Sequence, residues 1–201
     1  TTQVPAELGQ SDGPNLNFEQ GIGFRSDIAG QITAIRFWKD THETGTHTGR
    51  LWSATGQLLA SVTFANETAS GWQQQALGTP VSIAAGTTYF ASVNTGNAYY
   101  VATTDGLVAP VINQHLSTIV GNNGVFGSTG QFPTSSWRNS HYFRDVVFVP
   151  GTTYSISGTI SPPESGSGAT VTLSGPASAT ATAGGSGNYS FTGLGDGSYT
   201  V

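Results

Sequence analysis

Apolar and polar residues alternate along most of the first 150 positions, which is the pattern of β-strands that bury one face. Residues 32–39 show it most clearly, with Ile32, Ala34 and the other even-numbered positions expected on one face and Ile35 and Phe37 on the other. Turn-forming Gly, Asn, Ser and Thr residues separate this segment from similar ones. The further predicted strands are 49–53, 58–64, 71–77, 81–83, 87–93, 98–102 and 145–149.

Helical periodicity is nearly absent from the chain. The best candidate for a short helix is residues 111–120, and the sequence Gly-Asn-Asn-Gly that follows would end it at once. Many short strands separated by turn residues are typical of a sandwich or jelly roll. We therefore predict an all-β protein whose first module, residues 1–150, is a jelly-roll-like β-sandwich.

Composition changes near residue 150, and the change predicts a second module over residues 151–201. From Tyr154 onward only Glu164 and Asp196 are charged. The chain reaches Val201 inside an apparent strand, so we expect a small immunoglobulin- or prealbumin-like β-sandwich that is incomplete. Its predicted strands are 154–160, 169–174, 180–183 and 189–192.

The low charge of the chain excludes several kinds of partner. Charged residues make up 8% of it and the net charge is −5, against about 25% charged residues in ordinary soluble domains. Without a basic run, neither nucleic acid nor an anionic membrane surface is an expected partner. No apolar run approaches the roughly 20 residues of a membrane helix, so membrane insertion is not expected.

Cysteine is absent from the sequence. The chain therefore has no disulfide, thiolate metal site or cysteine nucleophile. Small secreted eukaryotic domains usually carry disulfides. Together with the Thr-, Ser- and Gly-rich composition, the absence indicates a secreted bacterial protein that is extracellular or on the cell surface.

A series of motifs in the first module resembles a bacterial extracellular family described as domain of unknown function 4082. The resemblance runs from about Pro5 to Pro150, with one departure at Arg144, where the family has an apolar residue. It implies a β-sandwich of large secreted proteins, often beside immunoglobulin-like repeats and polysaccharide-active enzymes, with no established activity. The motifs that carry it are residues 23–30, 32–39, 44–52, 58–61, 69–73, 132–137 and 145–148.

The second module is similar to the carboxypeptidase-regulatory-like repeat. The matching segments are residues 156–160, 169–175, 187–194 and 197–201. The resemblance implies a small prealbumin-like β-sandwich with a structural or spacer role. Members of that family continue beyond the position that corresponds to Val201, so the terminal strands are expected to be missing.

Aromatic residues in polar surroundings suggest a sugar-binding site. Trp137 is flanked by serine, arginine and asparagine residues, and Tyr99, Tyr100 and Tyr142 are candidates to extend it. Aromatic rings stack on the C–H faces of sugars while neighbouring amides and hydroxyls bind the sugar hydroxyls. The alternative is that Trp137 folds back and covers the end of the sandwich.

A structural calcium ion is the other ligand that the sequence suggests. Calcium binds carboxylate and carbonyl oxygens. Asp145, at the start of the last strand, is a candidate ligand together with Glu19 or Asp27 from earlier segments. Asp12 is a further candidate among the early acids. The alternative is an ion pair between Asp145 and one of the arginines at positions 25, 36 and 144.

The sequence shows no catalytic constellation. No Gly-x-Ser-x-Gly motif lies between a strand and a helix, and His42 and His47 are five residues apart in a loop rather than four apart on a helix. Lys39, the single lysine, is a candidate for an intramolecular isopeptide bond, but a solvent-facing charge is the simpler interpretation. We therefore expect no enzymatic activity.

Two functions fit these features. The first is a structural or adhesive protein that assembles into a fibre, because an incomplete sandwich offers a free edge to a strand of another copy. The alternative is a carbohydrate-binding module of a secreted polysaccharide-active or cell-surface protein, with polysaccharide as partner.

Overall fold

The computed structural model describes residues 3–201, which form two compact units. One unit ends at Pro150 and the other is Gly151–Val201. Nearly all of the regular structure is antiparallel β, which confirms the all-β prediction. No helix among the described residues is long and apolar enough to span a membrane.

The first unit has two main sheets. The strands are β1 Glu7–Gln10, β2 Phe18–Ser26, β3 Gly30–Lys39, β4 Thr48–Ser53, β5 Leu58–Thr63, β6 Gly71–Ile83, β7 Tyr89–Asn94, β8 Tyr100–Ala102, β9 Ile112–Asn113, β10 Leu116–Thr118, β11 Gly124–Ser128, β12 Ser135–Ser136 and β13 Arg144–Pro150. The larger sheet follows the order β12-β11-β2-β7-β4-β5, with β10 beside β2 and β9 beside β10. The smaller sheet follows β13-β3-β6, and β1 pairs with β8.

The core of this unit lies between the two main sheets. One cluster combines Ile22 of β2, Leu51 of β4 and Val93 of β7 with Ile35 and Phe37 of β3. All of these side chains are buried, and the inward faces of both sheets contribute to the cluster. The arrangement is a β-sandwich.

A register shift in β3 corrects the simple alternation predicted for residues 32–39. Against β13, Thr33 is one extra residue, because Ile32 and Ala34 pair with adjacent residues of that strand. Against β6 the pairing is irregular at the same place, but the extra residues lie in β6. Because one extra residue moves the following side chains to the opposite face, Ile32 shares the core with Ile35 and Phe37. The predicted separation of Ile32 from these two residues was wrong.

The helix predicted over residues 111–120 was also wrong. The segment forms the hairpin of β9 and β10, with Asn113 opposite Leu116 and Gln114 in the turn at a φ of 53°. In this conformation β10 pairs with β2, so its backbone groups gain sheet partners that an isolated short helix lacks.

The second unit consists of two two-stranded sheets, β14 with β17 and β15 with β16. Between them, Val171, Leu173, Phe191 and Leu194 form a small core against which Tyr199 packs. A single bridge joins Ser174 to Thr200. The elements are β14 Tyr154–Thr159, α1 Pro163–Gly166, β15 Thr170–Leu173, β16 Ala179–Thr182 and β17 Asn188–Leu194.

Candidate functional site

A cleft of about 420 Å³ opens on the first unit. The paired strands β1 and β8 contribute one part of its lining, and β2, β11 and the segment 137–142 contribute the rest. Such a volume lies within the range of small-ligand sites, about 300–1,000 Å³.

Four aromatic rings form a closed cycle in the lining of the cleft. Phe18 contacts Tyr100 and Phe126, with ring centroids 6.2 and 5.9 Å apart, and Tyr142 contacts the same two rings at 6.2 and 6.4 Å. Every contact is edge-to-face, which is a favourable geometry for aromatic pairs. Trp137 also lines the cleft, and with 63% of its surface exposed it presents its ring to solvent.

Polar groups are set among these rings. The Glu7 carboxylate accepts hydrogen bonds from the backbone N–H and the Oγ1 hydroxyl of Thr104, both at 3.1 Å. The Tyr100 hydroxyl donates to Asp12 at 3.1 Å. These contacts hold two carboxylates at the cleft.

Gln20 supplies an unused donor. Its side chain is 2% exposed and lines the cleft, and its Oε1 accepts a hydrogen bond from Arg144 Nη2 at 3.1 Å. The Nε2 group has no hydrogen-bond partner among residues 3–201. Gln20 Nε2 is not among the buried unpartnered side-chain atoms of the described residues, so it is accessible from the cleft and can donate to a ligand oxygen.

Both tyrosine hydroxyls stay protonated over the physiological range. Burial raises the pKa of Tyr142 to about 12. Burial also raises the pKa of Tyr100, and the negative charge of Asp12 raises it further. The two hydroxyls are therefore hydrogen-bonding groups and not phenolate charges.

The structure brings together three of the four aromatic residues predicted to bind sugar. Tyr100, Trp137 and Tyr142 line the same cleft. Tyr99 lies instead in a separate shallow depression, with its ring 5.3 Å from that of His42. The exposure of Trp137 does not fit the alternative in which this side chain folds back onto the sandwich.

The three acids predicted to bind calcium lie in three different ion pairs. Glu19 is fully buried and contacts Arg50 at 2.7 Å, Asp27 contacts His115 at 2.8 Å, and Asp145 contacts Arg36 at 3.4 Å, as the alternative interpretation expected. Residues 3–201 contain no group of three or more His, Cys, Asp or Glu side chains placed to hold a metal. The described residues therefore show no assembled set of calcium ligands, and calcium binding stays a prediction.

A buried charge cluster lies behind the cleft, and the sequence interpretation missed most of it. Arg144 is 1% exposed; its Nη2 lies 3.3 Å from Glu43 Oε1, and its Nη1 donates to the carbonyl of Tyr142 at 3.0 Å. Because the same guanidinium binds Gln20, it connects two residues that line the cleft. The one sequence signal was that Arg144 occupies a position where the resembling family is apolar.

Histidine and lysine extend this cluster. His47 is fully buried with its Nδ1 2.9 Å from Glu67, and Lys39 Nζ lies 2.7 Å from the same carboxylate. The Lys39 side chain is only 14% exposed, so the prediction of a solvent-facing charge was wrong. Burial raises the pKa of Glu43 to about 7, although Arg144 opposes the shift, and burial lowers the pKa of His47.

Two packed antiparallel sheets with a cleft at the β1–β8 ladder define the first unit as a β-sandwich module. The chain belongs to the family described as domain of unknown function (DUF4082), whose model matches residues 2–144. This match confirms the resemblance in the first module. A comparison with curated proteins finds no match to the chain, and the resemblance of the second module stays a prediction.

Proposed function

We propose that the cleft binds carbohydrate and that the protein is a non-enzymatic adhesive or carbohydrate-binding module outside the cell. The observation that carries the proposal is the position of Tyr100, Trp137 and Tyr142 in one cleft beside Gln20, whose Oε1 is held by Arg144 and whose Nε2 is left to donate to a ligand. An exposed aromatic ring next to free polar groups is the combination that sugar recognition requires.

The chemistry of binding follows from this arrangement. The exposed Trp137 ring offers an apolar platform for the C–H face of a sugar ring. The Nε2 group of Gln20 donates to a sugar oxygen, while the carboxylates of Glu7 and Asp12 accept from sugar hydroxyls. The edge-to-face contacts among the four rings keep the cleft in one conformation. Its side chains therefore lose little conformational entropy when a ligand binds.

The test is a glycan array followed by titration calorimetry on the best ligand. We expect Trp137→Ala to weaken binding about thirtyfold, because truncating a central aromatic contact costs about 2 kcal/mol or more. Tyr154→Ala is the matched control, since it removes a half-exposed aromatic residue from β14 of the second unit. Failure of the wild-type protein to bind any glycan, or equal binding by Trp137→Ala, would contradict the proposal.

The second unit supports a second proposal, self-association into a fibre. Among the described strands, β14 and β17 pair only with each other, so each has a free edge. The unit carries only Glu164 and Asp196 as charged residues, and charges on edge strands are a usual protection against pairing with other chains. A strand from a second copy can therefore add to β14.

A further inference from the structure

The cleft is negatively charged. Among residues 3–201, its lining includes Glu7 and Asp12 and no arginine, lysine or histidine. Arg144 lies behind Gln20 but is paired with Glu43, and Arg138, the neighbour of Trp137, forms an ion pair with Asp105. Each of these two arginines thus faces a carboxylate outside the cleft, whereas, among residues 3–201, Asp12 and Glu7 accept hydrogen bonds from Tyr100 and Thr104.

The aromatic rings favour a cation as well. The faces of Trp and Tyr rings carry negative electrostatic potential and attract ammonium groups. Trp137, Tyr100 and Tyr142 line the same cleft as the two carboxylates. Acidic and aromatic groups together are a recognition site for an amine.

The Gln20 amide adds a different requirement. Its Nε2 group is a donor facing the cleft and can bind an oxygen acceptor, which a simple alkylamine does not have. A ligand that satisfies the whole cleft carries both a cationic amine and several oxygen atoms. We infer that the cleft selects amino sugars with a free, protonated amine over neutral, N-acetylated or acidic sugars.

This inference rests on the proposed carbohydrate binding, and one matched series of ligands separates the two. Hexamers of β-1,4-linked glucose, N-acetylglucosamine and glucosamine share a backbone and differ at C2, which carries a hydroxyl, an acetamide or an amine. Titration calorimetry is done in weakly acidic buffer, where the sugar amine is protonated and protein carboxylates are normally ionised. We expect the glucosamine hexamer to bind about tenfold more tightly than the other two, because charge-assisted hydrogen bonds are the stronger kind.

A charge-neutralising variant tests whether the carboxylates cause the preference. Asp12 is exposed, and among residues 3–201 its carboxylate bonds to Tyr100, so Asp12→Asn preserves shape while removing the charge. We expect this variant to lose most of the preference, because its binding of the glucosamine hexamer weakens by more than its binding of the glucose hexamer. Asp27→Asn removes another exposed carboxylate, one that does not line the cleft, and it should keep the preference. For the wild-type protein, raising the salt concentration to about 1 M, where the Debye length is about 3 Å, should also abolish the preference for the glucosamine hexamer.

The possible results separate carbohydrate binding from the selection of amino sugars. If no hexamer binds, and no glycan binds on the array, carbohydrate binding itself fails. If all three hexamers bind equally, or the neutral ones bind best, selection of amines is overturned while carbohydrate binding stands. If the glucosamine preference persists unchanged in Asp12→Asn and at high salt, charge is not its source and the inference is likewise overturned.

Discussion

His141 and Phe143 form a tight buried pair beside the cleft. Phe143 has a φ of 54°, in the left-handed region that bulky residues rarely occupy. Its backbone N–H donates to Nδ1 of His141 at 3.0 Å, and the two rings stack with centroids 4.1 Å apart and planes within 4°. The hydrogen bond requires an imidazole whose Nδ1 carries no proton.

Protonation of His141 should therefore destabilise the protein. Burial lowers the pKa of His141 from about 6.5 to about 4. A pKa lowered by folding gives stability that is present above the unfolded value and lost as pH falls through the folded one. We expect the free energy of unfolding to fall by about 3 kcal/mol between about pH 6.5 and pH 4 on account of this residue, as measured by urea denaturation.

The control for this prediction is a pair of histidine variants. His141→Gln removes the titrating group and should flatten that part of the pH profile. His115→Gln is the matched substitution outside the buried pair, because it removes a partly exposed histidine that contacts Asp27. Identical slopes for the wild type and His141→Gln over this range would show that the buried imidazole is not responsible.

At the scale of elements, one side chain joins three parts of the first unit. Arg144 begins β13, binds Gln20 of β2 in the opposite sheet, and pairs with Glu43 in the loop between β3 and β4. The guanidinium also lies 5.4 Å from the centre of the Phe37 ring. Removing it would leave a buried carboxylate without its cation.

We expect Arg144→Met to destabilise the protein by about 3 kcal/mol at about pH 8, and by less at about pH 5. Burial raises the pKa of Glu43 to about 7, so the ionised carboxylate opposes folding as pH rises. The variant therefore loses most unfolding free energy at a pH where Glu43 is charged. Arg36→Met is the control, because Arg36 pairs with Asp145 near the surface and such pairs contribute about 1 kcal/mol or less. The account would be refuted if both variants lost the same unfolding free energy, or if the loss in Arg144→Met did not change with pH.

Strands such as β4, β5 and β7 were predictable from the sequence because alternation and turn residues are local signals, whereas β1, β2, β11 and β12 were not predicted. The extra residue at Thr33 was not predictable, because it depends on how β13 pairs with β3. The same holds for residues 111–120, whose conformation is decided by pairing with β2. Periodicity within a segment carries no information about its neighbours in the sheet.

The cleft was predictable only in part. Trp137 stood out because its neighbours in sequence are polar, and Tyr100 and Tyr142 were proposed to join it. Glu7 and Gln20 carried no local signal. They reach the cleft through the pairing of β1 with β8 and the position of β2 in the larger sheet, contacts between residues far apart in the chain.

At the scale of the whole molecule, self-association is tested by molar mass against concentration. We expect light scattering to show growing species for the wild type, because β14 has a free edge. Ser157→Lys places a charge at an exposed position of β14 and should reduce growth, whereas Ser165→Lys places the same charge in α1 and should not. A strictly monomeric wild type at every concentration would remove the fibre proposal and leave carbohydrate binding untouched.

The cycle of four rings links ligand binding to the resistance of the protein to proteolysis. Its members come from distant parts of the chain, from Phe18 near one end of the module to Tyr142 near the other. A ligand held there binds only the complete module, so occupancy at a hundred times the Kd opposes unfolding by about 2.7 kcal/mol. Proteases cut chains that have opened, so a ligand bound in the cleft would also slow digestion of this protein.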